Sequence, residues 1–268
     1  MTEPRARRLR IDVLLVERGL APTRAKAQAL VMAGVVATKS GRIDKAGTLV
    51  AEDADITVAS EQARFVSRGG EKLDAALEMF RASGLEVRGT NAVDIGASTG
   101  GFTDCLLSRG ARKVYAVDVG YGQLAQVLRS DPRVVARERT NARTLVAADF
   151  EEPIDLVVVD ASFIGLGKLM PAIARVVRTG GALVALAKPQ FEAGKRAATR
   201  GRGVIRDAAV REEAIAKARA AIVEWGFTVR AEIDSTLPGP KGNVERFLYA
   251  TRTMEASADR AVQGKVVS

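Results

Sequence analysis

Two patterns of apolar positions divide the chain. In RIDVLLVERGL, Ile11, Leu14 and Leu15 recur at helical spacing until Gly19 ends the run. APTRAKAQALVMAGVV predicts a second helix, with Thr23 as N-cap, Ala27, Leu30 and Val31 turned inward and Gly34 as its stop. VVATKSGRIDKAGTLVAEDADITV then breaks into short β-rich runs between turn residues. Residues 1–59 therefore read as a small α+β module, and residues 60–71, SEQARFVSRGGE, as a linker with polar ends.

From 72 to 253 the pattern changes to alternating β-like and helical segments. NAVDIG, KVYAVDVG, DLVVVDAS and GALVALAKP are the apolar β-like runs, separated by the helical GFTDCLLSRG, GQLAQVLRS and GLGKLMPAIARVVRTG. A long helix over 206–226, with Ile215, Ile222 and Trp225 inward and Glu213 four residues before Lys217, precedes TVRAEIDST and VERFLYATR. Alternation of this kind predicts an α/β fold with a doubly wound, mostly parallel sheet, and the two consecutive final strands predict an antiparallel pair at its edge. Ligands of such sheets sit at the carboxyl ends of the strands. Residues 254–268 are polar without a period and read as a flexible tail.

Composition narrows the chemistry. The chain has 268 residues and a formal net charge of +9, which favours an acidic partner: nucleic acid first, an anionic membrane surface second. It contains no histidine, which excludes histidine triads, bases and metal ligands. The single cysteine, Cys105, excludes an intramolecular disulfide or multi-cysteine zinc site and fits a reducing cytoplasm, and no metal is expected. No apolar run approaches the roughly 20 residues of a membrane-spanning helix, and the N-terminus carries no export-signal pattern.

The turn in VDIGASTGGF discriminates among ligands. A phosphate loop would need a lysine after its last glycine, but Gly101 is followed by Phe102. A dinucleotide loop would need a glycine where Ser98 stands, and Asp94 at the strand end is ill suited to a pyrophosphate. S-adenosylmethionine carries a sulfonium and an ammonium and no phosphate, so an acidic strand end suits it. The motif resembles the first motif of Rossmann-type methyltransferases, which implies cofactor contacts from Asp94, Gly96, Ser98, Thr99, Gly100, Gly101 and Phe102. Asp118, ending the next strand, can accept both ribose hydroxyls. Tyr121 either covers the adenine or packs, Asn141 and Arg143 are similarly open, and Asp160 joins the cofactor set from the fourth strand.

The methyl acceptor is read from the later strand ends. The loop DASF lacks the [DN]-P-P-[YF] pattern of amine methylation, and Cys105 reads as a small buried hydrophobe rather than a cytosine-attacking thiolate. Lys72, Asp160, Lys188 and Glu245 remain, and in that order they resemble the K-D-K-E tetrad of FtsJ-type ribose 2′-O-methyltransferases. Their contexts RGGEKL, VVVDASF, LAKPQFE and GNVERFLY resemble the TlyA-type family, described both as ribosomal RNA 2′-O-methyltransferases and as haemolysins. The first module resembles the S4 RNA-binding domain through Arg10, Asp12, Leu15, Arg18, Gly19, Thr23, Arg24, Ala27, Gly34 and Val35.

These resemblances imply a Rossmann-like class I methyltransferase domain with a seven-stranded sheet behind an S4-like RNA-binding domain, methylating ribose, with cytidine as the family's expectation. Ribosomal RNA or a ribosomal subunit is the implied partner. RNA contacts are expected from Arg5, Arg7, Arg18, Arg24, Lys26 and Arg68, and from Lys195, Arg196, Arg200 and Arg202 in a glycine-bearing loop that also holds Arg206. Lys188 is expected as base or steering group, which a lysine can serve only when neutral. Phe163 and Phe191 either stack on a flipped nucleotide or pack. A membrane-active haemolysin and a non-catalytic ribosome-assembly factor are the competing readings.

Overall fold

The computed structural model describes residues 7–58, 64–193, 204–239 and 241–253. It contains two compact units divided between Arg68 and Gly69.

In the first unit the helix Ile11–Glu17 follows a short strand β1 (Arg8–Arg10), which pairs antiparallel with β4 (Leu49–Ala51). The helix Arg24–Ala33 starts where Thr23 accepts the Lys26 N–H at 3.2 Å and ends at Gly34, whose φ of 73° lies in the left-handed region. A second sheet joins β2 (Val36–Thr38) to β3 (Gly41–Arg42) and β5 (Ile56–Val58). Ile11, Leu14, Leu15, Ala27, Val31 and Val36 form its core. Asp12 is fully buried beneath them and accepts from Arg10, Arg24 and Gln28 at 2.9–3.0 Å.

The second unit opens within the helix Arg68–Arg81, so the last four residues of the expected linker are helical. Its seven-stranded sheet has β6 (Asn91–Ile95) near the middle. Parallel to it run β7 (Lys113–Val117) and then β8 (Val134–Arg137) on one side, and β9 (Ile154–Val159) and β10 (Val177–Ala187) on the other. The chain therefore reverses its direction of travel between β6 and β9, the crevice in which doubly wound sheets hold ligands. β12 (Arg246–Arg252) lies antiparallel between β10 and the edge strand β11 (Phe227–Asp234), so the expected antiparallel pair forms with the last strand taken inside.

Three helical expectations shorten. GQLAQVLRS yields only Gln126–Arg129, and the helix Met170–Val176 stops where Val177 joins the sheet ahead of a register shift. The long helix spans Ala208–Glu224, with Ile215 and Ile222 buried and Trp225 only half-buried at its end. Lys217 turns to the Glu192 carbonyl at 3.4 Å rather than to Glu213. Among the described residues no helix is long and apolar enough to cross a membrane.

Candidate active site

Strand register brings the candidate residues to one edge. Ile95 pairs with Val117 and with Val159, so Gly96, Asp118 and Asp160 leave the sheet side by side. Ala187 pairs with Arg246, so Lys188 and Glu245 emerge at the same edge from neighbouring strands running in opposite directions. Lys72 reaches the group from the helix Arg68–Arg81.

The four tetrad residues form two ion pairs. Lys72 Nζ lies 2.7 Å from Glu245 Oε2, and Lys188 Nζ lies 2.6 Å from Asp160 Oδ1. Lys72, Lys188 and Glu245 are 8%, 9% and 1% exposed, while the Asp160 side chain keeps 26% of its surface. Desolvation is the main force on the Asp160 carboxyl and raises its pKa; Lys188 opposes the rise, Glu245 adds to it and Lys72 opposes it, so all four groups share one electrostatic field. Buried pairs of this kind cost about as much in desolvation as they return, so a stability role does not account for two of them together. Gly239 is required by close approach: a Cβ there would lie 2.6 Å from Glu245 Oε1.

Beside the tetrad, a cleft of ≈ 400 Å³ opens at the switch point, lined by Gly96, Ser98, Asp118, Asn141 and Asp160 with an apolar wall that includes Val117, Val119, Ala142 and Leu169. Asp118 Oδ1 accepts from Gly120 N at 2.7 Å and Oδ2 from Ser98 N at 2.8 Å, which fixes the carboxylate and leaves its remaining lone pairs for a diol. Asp94 is fully buried; Thr103 donates to its Oδ2 at 2.7 Å, while Oδ1 is buried without a partner. Burial, with the nearby carboxylates Asp160 and Asp118, pushes its carboxyl up to about 7. Asp118 and Asp160 line the cleft and Asp94 is buried at the end of the neighbouring strand; these acidic groups fit a ligand that brings positive charge and disfavour a polyphosphate. S-adenosylmethionine fits this lining, its adenosine matching the apolar wall and the Asp118 carboxylate.

Within the glycine turn the structure gives the residues different surroundings. Phe102 is buried and stacks on Phe247 at 6.0 Å between centroids, so its ring belongs to the core. A Cβ on Gly100 would meet Leu128 Cδ1 at 2.2 Å, so that glycine makes room for a leucine rather than for a ligand. Gly101 is the buried first residue of the helix Gly101–Ser108, and Thr99 is engaged through its carbonyl, which accepts from Ala125 N. Tyr121 stands largely exposed beneath the Arg139 guanidinium, 4.2 Å from the ring centroid, and does not line the cleft. Asn141 caps the next turn by accepting from Arg143 N at 3.1 Å.

Ser162, Thr103 and Glu192 escaped the sequence reading. Ser162 Oγ lies 3.1 Å from Lys188 Nζ, and Thr103 holds Asp94; neither has a motif letter of its own. Glu192 is buried, its carboxyl raised by desolvation, and it accepts from Leu166 N at 2.7 Å, tying the loop after β9 to the turn after Lys188. Phe163, in that loop, is 91% exposed with φ of 67° and faces Phe191 at 5.4 Å between centroids.

Of the expected RNA contacts, Arg7, Arg24 and Lys26 are exposed in the first unit, Arg24 with its Nε on Asp12. Arg18 spends its guanidinium on the carbonyls of Ala54 and Glu52, tying the end of its helix to the strand region. Arg68 opens its helix with Nε buried and without a hydrogen-bond partner. Arg5, Lys195, Arg196, Arg200, Arg202 and the tail 254–268 lie outside the described residues.

The doubly wound sheet with a terminal antiparallel strand, the acidic glycine turn and the cleft at the switch point define the class as a Rossmann-like methyltransferase. A solved S-adenosylmethionine-dependent methyltransferase structure from Listeria monocytogenes shares this fold at a TM-score of 0.51 and 12% identity, covering 69% of this chain and all of that one (100%). The family model described as FtsJ-like methyltransferase matches residues 65–252. The 16S/23S rRNA (cytidine-2′-O)-methyltransferase TlyA of Mycobacterium tuberculosis is 44% identical over 261 residues, 97% of this chain and 94% of that protein. Hemolysin A of Brachyspira hyodysenteriae is 39% identical over 238 residues, covering 88% and 97%. A solved structure of a candidate hemolysin from Streptococcus thermophilus superposes with a TM-score of 0.72 at 40% identity, covering 92% and 89%. The chain belongs to the FtsJ-like methyltransferases, as a member of their TlyA-type branch.

Proposed function

We propose that this protein methylates a ribose 2′-oxygen of ribosomal RNA, with S-adenosylmethionine in the cleft between β6 and β9 and a cytidine as the modified nucleotide. The observation that carries the reading is the pairing of two buried lysines with two carboxylates, Lys72 with Glu245 and Lys188 with Asp160, at the rim of an acidic cleft. A ribose hydroxyl is a poor nucleophile until its proton is held or removed, and a lysine amine at the cleft rim is suited to that task.

S-adenosylmethionine, when bound, supplies an electrophilic methyl group on a sulfonium. Asp160, with Asp94 buried beside it, would answer its positive charge and Asp118 would take the ribose diol, while Gly96 gives room to the Asp160 carbonyl so that the two strand ends meet at the cleft. Lys188 then takes the 2′-hydroxyl proton or steers it, held in place by Asp160. Lys72 and Glu245 fix the ribose beside that amine, and alignment of the hydroxyl accounts for much of the rate. Phe163 offers an exposed ring to a base displaced from its stack, and Arg7, Arg24, Lys26 and Arg68 meet phosphates, as does the basic segment from Lys195 to Arg206. The setting is cytoplasmic, with ribosomal subunits as the physical substrates.

Transfer of a labelled methyl group to unmodified bacterial ribosomal subunits, followed by nuclease mapping, tests the reading. Label on a ribose, reduced at least about a hundredfold in Lys188→Ala, is expected. Label on a base, or undiminished transfer by Lys188→Ala, rejects the assignment.

A further inference from the structure

We propose that Ser162 is a positioning residue for Lys188: its hydroxyl accepts from the amine in the structure, can turn to donate to the lone pair of a neutral amine, and yields that place to the incoming ribose hydroxyl. The proposal rests on the reading of Lys188 as the proton acceptor. Three acceptors surround Nζ: Asp160 Oδ1 at 2.6 Å, Ser162 Oγ at 3.1 Å and the Asp160 carbonyl at 3.5 Å. An ammonium has three N–H donors and no lone pair, so this cage suits the charged form. A neutral amine has two N–H donors and one lone pair, and neither an ionised carboxylate nor a carbonyl can donate to that lone pair. A hydroxyl both donates and accepts. Among these three neighbours, Ser162 alone can serve both protonation states.

The loop that carries Ser162 is fixed at both ends. Asp160 N donates to Ile95 O at 2.9 Å, and Leu166 N donates to Glu192 Oε1 at 2.7 Å. Between these anchors Ser162 is exposed on the cleft wall, whereas Lys188 is buried, so an arriving ribose can displace the serine hydroxyl from the amine. The remaining charged groups around the amine are Asp160 at the end of β9, Lys72 from the opening helix, Glu245 ahead of β12 and, beyond Asp160, Asp94 in β6. None of them adds a hydroxyl. Over one cycle Nζ, having released a proton to solvent, takes the ribose proton while the oxygen's electron pair forms the bond to the methyl carbon; the carbon–sulfur bond of the methyl donor would break with its pair left on sulfur, and Ser162 keeps its own proton throughout. The hydroxyl turns from donor to acceptor as the ammonium forms.

The test measures single-turnover methyl transfer to bacterial ribosomal subunits by the wild type, Ser162→Ala, Ser162→Thr and Lys188→Ala across pH 6.5–9.5 (about this range brackets the working pH), with S-adenosylmethionine affinity and thermal unfolding measured alongside. Ser162→Ala is expected to lose about tenfold near pH 7, the worth of one ordinary hydrogen bond. Threonine, which keeps a hydroxyl, recovers most of the rate. Cofactor affinity and melting stay near wild type. If Lys188→Ala is inactive while Ser162→Ala matches the wild type at every pH, or shows a loss that threonine does not repair, the serine assignment is overturned and the lysine reading survives. If Lys188→Ala retains full activity, both fall.

Discussion

Gly96 lies where the cofactor turn meets the catalytic strand, and Gly96→Ala probes both at once. The residue has φ of +87°, and an added Cβ would lie 2.8 Å from the Asp160 carbonyl oxygen, 3.0 Å from its carbonyl carbon and 3.2 Å from Ala161 Cα. All three atoms are backbone, so no side chain can swing aside. The left-handed conformation alone costs roughly 1–2 kcal/mol with a Cβ present, and forcing backbone apart in a packed site adds roughly 1–3 kcal/mol. The sum, about 2–5 kcal/mol, lowers the melting temperature by about 2–4 °C per kcal/mol in a unit of this size, or roughly 10 °C. Gly84→Ala is the control, because Gly84 has φ of +88° and nothing within 4 Å of the added atom, so it carries the conformational cost without the collision. Thermal unfolding by circular dichroism, calorimetric titration with S-adenosylmethionine and methyl transfer should separate them: Gly84→Ala melts a few degrees low and stays active, whereas Gly96→Ala melts lower still and loses cofactor affinity and transfer together. If Gly96→Ala melts with Gly84→Ala and binds cofactor like the wild type, the close approach of these two strand ends is not what the site depends on.

Two other expectations follow from buried carboxylates of opposite character. Asp94, raised to about 7, holds its proton in the folded protein over a range where the unfolded chain has lost it, so its contribution to stability without cofactor declines as pH rises from about 4 and levels off above about 7. Asp94→Asn should remove that part of the pH dependence and abolish the gain in S-adenosylmethionine affinity that ionisation brings near pH 7, which melting curves and titrations at stepped pH will show or deny. Asp12 is the reverse case: the hydrogen bond from Arg10, aided by Gln28 and Arg24, holds its carboxyl far below the usual carboxylate range, so the stability it provides is present at neutral pH and lost in strong acid. Asp12→Ala should cost the first unit about 2–3 kcal/mol, less than a fully buried pair because Arg10 and Arg24 are half open to solvent. Hydrogen exchange should then lose protection across residues 11–33 and keep it in the sheet beyond Gly69; unchanged exchange in the two helices would remove Asp12 from its organising role.

The sequence alone determined whatever depends on local chemistry and periodicity. Alternating apolar runs announced a doubly wound sheet, Thr23 and Gly34 marked the ends of a helix, and the missing lysine excluded a phosphate loop while Asp94 disfavoured a pyrophosphate, because a carboxylate repels phosphate in any fold that holds the two together. Lys72, Asp160, Lys188 and Glu245 could be picked out through family resemblance, although 173 positions separate the two residues of the first pair. Only the tertiary structure decided which lysine pairs with which carboxylate, because strand register sets those distances and a one-residue slip would turn each side chain to the opposite face. It also decided the part each turn residue plays. Gly100 and Phe102 carry the same motif as Gly96, yet they pack against Leu128 and Phe247 while Gly96 lies against the Asp160 backbone. Ser162, with no signature of its own, stands beside the lysine because the loop after β9 is anchored at Ile95 and Glu192, residues from two other parts of the chain. Contacts of that kind come from the packing of distant segments, which no local pattern encodes.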